Sequence, residues 1–140
     1  MMDSNHNSIA RAITKSIGID CSPQQVLEFL ADGANWPLWA IVNIRSIRKA
    51  DDPEWWDMVT IHGPARLRIR PEAQYGILDH DYHDGQAHWT VPARVVPNGP
   101  GTEFMMTFFQ PEAFTDEFFD NQIKLVDVEL SELKRLLETA

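Results

Sequence analysis

The densest run of side chains able to do chemistry is Asp79-His80-Asp81-Tyr82-His83-Asp84, with His88 close behind. Carboxylates, imidazoles and a phenol in one segment could ligate a metal or move protons. The spacing argues against a metal. His80 and His83 differ by an odd number, so a strand sends them to opposite faces, and Asp84-Gly85 turns the chain before His88. Neither the i, i+4 helical spacing nor a CxxC pair is present, and no metal site is expected. His80 alone is the sharper candidate. In a strand over 75–83, Gly76, Leu78, His80 and Tyr82 share one face, while Tyr75, Ile77, Asp79 and Asp81 share the other. Two carboxylates mark the second face as the wet one, so His80 and Tyr82 point inward. An inward histidine titrates near neutrality and could act as general acid or base. It could equally be a hydrogen-bonded core residue, because catalysis needs partners that the sequence does not name.

Other chemistries are less well supplied. There is no G-x-S-x-G elbow and no glycine-rich phosphate loop, and no cofactor is expected. Cys21, the single cysteine, precludes an internal disulfide and fits a reducing, cytoplasmic location. A helix N-terminus beside it could activate the thiol, but no basic neighbour is adjacent, and inert packing is the simpler role. The formal net charge of −9 disfavours a nucleic-acid partner. Arg66, Arg68 and Arg70 alternate with Leu67 and Ile69, as the solvent face of a strand does. Arg94 reads as a surface ion-pairing group, with a ligand carboxylate as the less favoured partner.

The elements that must position these residues follow from periodicity and turn chemistry. Residues 8–20 alternate as a first strand. Ser22-Pro23-Gln24-Gln25 starts a helix by capping box and N1 proline, and Asp32-Gly33 ends it. Asn35-Trp36-Pro37-Leu38-Trp39 makes a second short helical turn. Strands are expected over 43–49, 55–62, 65–72, 75–83, 87–96 and 102–110, separated by turn residues. A two-residue loop at Gly63-Pro64 pairs Thr60 with Leu67 and sends Trp56, Met58 and His62 inward. A three-residue loop sends Asp57, Val59 and Ile61 inward instead. In 87–96, Trp89, Val91, Ala93 and Val95 face inward and His88 outward. In 102–110, Phe104, Met106 and Phe108 form one face and Met105, Thr107 and Phe109 the other. The second face is apolar enough to expect cover, from the small helices or from a homodimer contact.

Thr115 caps a final helix, with Asp116 and Glu117 at the positive end of its dipole. Phe119, Ile123, Val126, Leu130, Leu133 and Leu137 form its apolar stripe, which Phe118, Leu125 and Leu136 widen. Asp120, Lys124, Asp127, Glu129, Glu132 and Arg135 are assigned to the polar side. At 1.5 Å per residue this helix is roughly 35 Å long and needs a concave partner. Hairpin strands with helices on one face make an α+β arrangement, in which the sheet curves around the helix and can leave a cavity. With 140 residues the chain is expected to form a single domain that buries roughly two-thirds of its unfolded surface, residues 1–7 fraying. No apolar run is long enough to span a bilayer, and Met1–Ser8 lacks the order of a signal peptide.

This order of elements resembles the helix-grip superfamily of START and birch-pollen-allergen-like domains (SRPBCC), and within it the polyketide cyclase/dehydrase-like branch. The matching strings are Ile19-Asp20-Cys21-Ser22-Pro23-Gln24-Gln25-Val26, Leu30 through Asn35-Trp36-Pro37, Gly76-Ile77-Leu78-Asp79-His80, the stretch from Pro92 to Glu103, and the end from Leu130 to Glu138. The resemblance implies a curved antiparallel sheet of about seven strands around the C-terminal helix, with a hydrophobic pocket between them. Three functions follow as expectations. The leading one is binding of a small hydrophobic or aromatic ligand. Its pocket would be lined by Trp39, Met58, Leu78, His80, Tyr82, Trp89, Val91, Phe104, Met106, Phe108, Phe118, Phe119, Ile123 and Val126. The second is a cyclase/dehydrase-type enzyme using His80 or Tyr82 for proton transfer. The third is a protein-interaction module of the chaperone-cofactor type that displays tryptophans.

Overall fold

Alternation, capping and turn residues lay out eight strands and three α-helices along residues 9–139, the part of the chain that the computed structural model describes. The expected fraying of residues 1–7 lies outside the described residues. β1 (Ala12–Ile19) leads to α1 (Pro23–Ala31), which starts at the expected capping box: Ser22 Oγ accepts from Gln25 N–H, and the Gln25 side chain accepts from Ser22 N–H. A 3-10 turn (Gly33–Asn35), capped by Asp32, runs into α2 (Trp36–Trp39). Five strands follow: β2 (Ile44–Lys49), β3 (Trp56–Thr60), β4 (Gly63–Glu72), β5 (Ile77–Asp84) and β6 (His88–Val91). After them come β7 (Ala93–Asn98), β8 (Gly101–Phe109) and α3 (Asp116–Glu138).

The sheet is antiparallel throughout, in the order β1-β8-β7-β5-β4-β3-β2, with β6 continuing the β7 side of β5. The expected strand 87–96 is thus two strands, and Pro92 is the reason. Both pieces keep one register on β5, with His80 opposite Val91 and Ile77 opposite Arg94. Proline has no N–H to give the ladder, and Asp79 Oδ1 takes the next one, Ala93 N–H, at 2.9 Å. The β3–β4 turn lies two residues earlier than the loop expected at Gly63-Pro64. Ile61-His62 form the loop, Thr60 pairs with Gly63, and Trp56 rather than Thr60 faces Leu67. Gly63 takes φ 101° to close it. Met58 and Thr60 are therefore buried, and Val59 is exposed. β5 begins at Ile77 instead of Tyr75, because Ala73–Tyr75 form a 3-10 turn that ends at left-handed Gly76.

The core lies between the concave sheet face and α3. Phe119, Ile123, Leu130 and Leu133 of the helix are buried, as are Leu67, Leu78, Val91, Val95, Phe104, Met106 and Phe108 of the sheet. Charged residues align the helix along β1: Arg11 pairs with Asp120, Lys15 reaches Asp127 at 3.1 Å, and Lys134 Nζ donates to Gly18 O at 2.9 Å. Glu138 caps the other end of the strand by accepting Asp20 N–H at 2.8 Å.

Two expectations about side-chain direction are corrected. Asp81 does not meet water: it is buried on the outer sheet face beneath Arg68 and Arg70, which donate to Oδ2 at 2.9 and 3.0 Å, and Thr90 donates to Oδ1 at 2.7 Å. Burial alone would raise its pKa, but these three donors together hold it below the ordinary value. Glu129, assigned above to the polar side of α3, is buried instead.

Candidate functional site

α2 carries Trp36 and Trp39 on one face by i, i+3 spacing, and both are buried, with ring centroids 5.0 Å apart. Trp36 is fixed by donating Nε1–H to Leu30 O at 2.9 Å. Its ring meets His80 edge-on at 4.9 Å, so the short helix and the middle of β5 define one wall. β6 adds Trp89, which packs edge-to-face on Phe108 at 5.6 Å and on Phe114 at 5.8 Å. These groups line a cavity of about 120 Å³ between the sheet, α2 and the middle of α3. Exposed Ile61 and Gln86 are among its lining residues and mark the side facing solvent, at the β3–β4 and β5–β6 turns.

Of the residues expected to line a pocket, Trp39, Met58, His80, Tyr82, Trp89, Val91, Met106, Phe108 and Val126 do so. Leu78, Phe104, Phe118, Phe119 and Ile123 do not. Leu78, Phe104, Phe119 and Ile123 are solid core, and Phe118 stacks edge-on against Phe114 at 4.6 Å. The cavity lies further along α3 than its first turns, beside Gln122, Leu125, Val126 and Glu129.

His62, His80, Tyr82, Asp84 and Glu129 are the ionisable residues that line this space, and burial shifts three of them, His80, Tyr82 and Glu129. His80 is buried, and Nδ1 lies 3.1 Å from Leu78 O. A carbonyl only accepts, so Nδ1 carries the proton and Nε2 presents a lone pair. Burial lowers the imidazole pKa to about 4, keeping the ring neutral around pH 7. Tyr82 accepts from Asn43 Nδ2 at 3.1 Å, and burial pushes its phenol up to about 12. Glu129 Oε2 accepts the backbone N–H groups of Val42 at 3.1 Å and Asn43 at 3.0 Å, where the chain leaves α2. Burial outweighs those two hydrogen bonds and raises the carboxyl to about 7. Trp39 Nε1, His62 Nε2 and Trp89 Nε1 are buried with no hydrogen-bond partner among the described residues, and all belong to lining residues.

Sequence reasoning missed Glu129 and Asn43 as part of one site, and brought His62 inward only in the two-residue-loop alternative at Gly63-Pro64. A signal existed for Glu129: it stands three residues after Val126 and four before Leu133, on the flank of the stripe. For Asn43 there was none, because it sits in a turn whose geometry depends on the rest of the sheet.

Asp84 also lines the cavity, and the other chemical candidates lie apart from it. His83 stacks on His88 at 4.1 Å on the outer face, opposite His80, and no cluster of three or more His, Cys, Asp or Glu side chains suited to a metal occurs among the described residues. Burial raises the Cys21 pKa, and its Sγ contacts Gln25 Oε1 at 3.4 Å, as fits an unreactive thiol. All five tryptophans are buried or half-buried, Trp55 lying under the Arg66 and Arg68 guanidiniums. No helix among the described residues is long and apolar enough to cross a membrane.

Neither a family profile nor a curated protein sequence matches the chain. Solved structures do. A START superfamily protein from Mycobacterium smegmatis superposes with TM-score 0.71 at 11% identity, covering 91% of this chain and 97% of that one. Ara h 8.0201 gives TM-score 0.73 at 9% identity over 94% and 99% of the two chains. Aha1 from Colwellia psychrerythraea, solved as a dimer, gives 0.71 at 16% identity over 91% and 96%. The chain has the helix-grip fold. At these identities the likeness concerns the backbone.

Proposed function

We propose that this helix-grip protein reversibly binds a small, compact apolar or aromatic molecule in the cavity between α2, the sheet and α3. The observation that carries the reading is the wall itself: Trp36, Trp39, Met58, Trp89, Met106 and Phe108 surround open space in which His80 offers an unused acceptor. Mostly apolar walls with a few polar anchors are what small-molecule sites present. A volume near 120 Å³ suits a molecule about the size of a single substituted ring. Ligand at about a hundred times its Kd adds roughly 2.7 kcal/mol of stability, which for a chain of this length raises Tm by roughly 8 °C. A thermal-shift screen of monocyclic compounds, with native mass spectrometry of the purified protein, tests this. The absence of both a shift and a co-purified ligand counts against it.

A second reading, acid–base catalysis, draws on one observation. Glu129, with a carboxyl that titrates near neutrality, shares the cavity with His80 and Tyr82. Near pH 7 the His80 ring is neutral and the phenol intact, so of these three Glu129 is the group able to both take and give a proton. Exchange of α-hydrogens of a small bound ketone for deuterium, lost in Glu129→Gln, is the expected signature.

A further inference from the structure

The chemistry of the occupant is written in the charges and open hydrogen-bonding positions of the cavity wall, and this inference rests on the cavity being a binding site. Two carboxyl residues line it, Glu129 and Asp84, but no lysine or arginine does. Glu129 commits Oε2 to two backbone N–H groups, whereas Oε1 has no protein donor among the described residues. His80 spends its N–H on Leu78 O and keeps only an acceptor. Glu129 Oε1 and His80 Nε2 both ask for donors, and His62 Nε2 is a further open position on the wall. Around them stand indole and phenol rings, whose negative π faces attract cations, in a chain whose formal charge is −9.

We propose that the occupant is a small organic cation, a primary amine on a compact aryl body, whose ammonium group is held by Glu129 and whose ring lies among Trp36, Trp39 and Trp89. A cation is the partner that a buried carboxylate lacks here: it supplies both the compensating charge and the hydrogen bond that Oε1 is missing. An anionic ligand fares worse, since it would meet two carboxyls and a lone pair with no lysine or arginine to balance it. The indole N–H groups of Trp39 and Trp89 have no acceptor of their own, so a ring bearing a hydroxyl or ether oxygen gains further.

Benzylamine, benzyl alcohol and benzoate share a size and differ in charge, which makes them suitable probes for titration calorimetry on the full chain at pH 7.5. A charge-assisted hydrogen bond of about 1.5–3 kcal/mol converts to an amine preference of roughly tenfold or more over the alcohol. In Glu129→Gln, whose amide oxygen still accepts Val42 and Asn43, the amine and the alcohol should bind alike. Equal binding of amine and alcohol to the wild-type protein, or benzoate binding best, overturns the amine assignment and leaves the binding-site reading standing. If none of the three binds, both readings fall. The wild-type comparison among probes decides the matter even if the variant does not fold.

Discussion

Glu129 and His80 respond to pH in opposite directions, and the two trends overlap. The Glu129 carboxyl, at about 7 in the fold against 4.5 as a free side chain, holds its proton more tightly when folded. Its contribution to stability is therefore complete below pH 4.5 and is lost as pH rises towards 7. His80, at about 4 against 6.5, binds its proton less tightly when folded. Its contribution is complete above pH 6.5 and is lost as pH falls towards 4. Each is at most on the order of 3 kcal/mol, so between pH 4.5 and 6.5 they largely offset one another. Glu129→Gln should expose the His80 slope, with urea-unfolding stability rising with pH across that window. His80→Asn should expose the opposite slope. Parallel profiles for wild type and both variants would show that these groups titrate in the fold as they do free. The sequence displayed His80 because its neighbours alternate cleanly, but it hid Glu129, because a helix flank is wet or dry according to what packs beside it. Here the residues leaving α2 cover that flank and bring two N–H groups that need an acceptor.

At the scale of elements, the most legible parts were those decided within a few residues. The Ser22-to-Gln25 capping box, the Thr115 cap and the stripe of α3 stand as read, since local hydrogen bonds and the 3.6-residue period determine them. The strand boundaries that shifted, at Pro92 and at the β3–β4 turn, depend on a partner strand's side chain or on which of several turn residues closes the loop. Ser22→Ala removes the hydroxyl that caps Gln25 N–H and should cost about 1 kcal/mol, lowering Tm by roughly 3 °C. Gly76 is a harsher site. It takes φ 66° and its backbone crosses Val95 so closely that an added Cβ would lie 2.3 Å from Val95 O. Gly76→Ala should cost clearly more than the ~1 kcal/mol typical of a tolerable glycine replacement, and hydrogen exchange at Val95 N–H, which bonds to Gly76 O, should accelerate with it. Unchanged exchange at Val95 would mean that the turn relaxes without disturbing β7.

For the molecule as a whole, a formal charge of −9 sets self-repulsion against a few exposed ion pairs, such as those between β1 and α3. Exposed pairs contribute 0–1 kcal/mol each and are screened as readily as the repulsion, so the unmatched negative charge decides the sign. Raising ionic strength from about 0.01 to 0.15 M shortens the Debye length from about 30 to 8 Å and should raise Tm. A fall would show that the pairs outweigh the net charge. The tilted Trp36–Trp39 pair has a further consequence, and it is optical. Two indoles with centroids 5.0 Å apart and planes inclined at 59° are close enough for their transitions to couple, so the cavity wall should produce a signed couplet in the circular dichroism spectrum. A guest that moves Trp39 by a small rotation would change that signal without any label. The protein should therefore announce the filling of its cavity in its own ultraviolet spectrum.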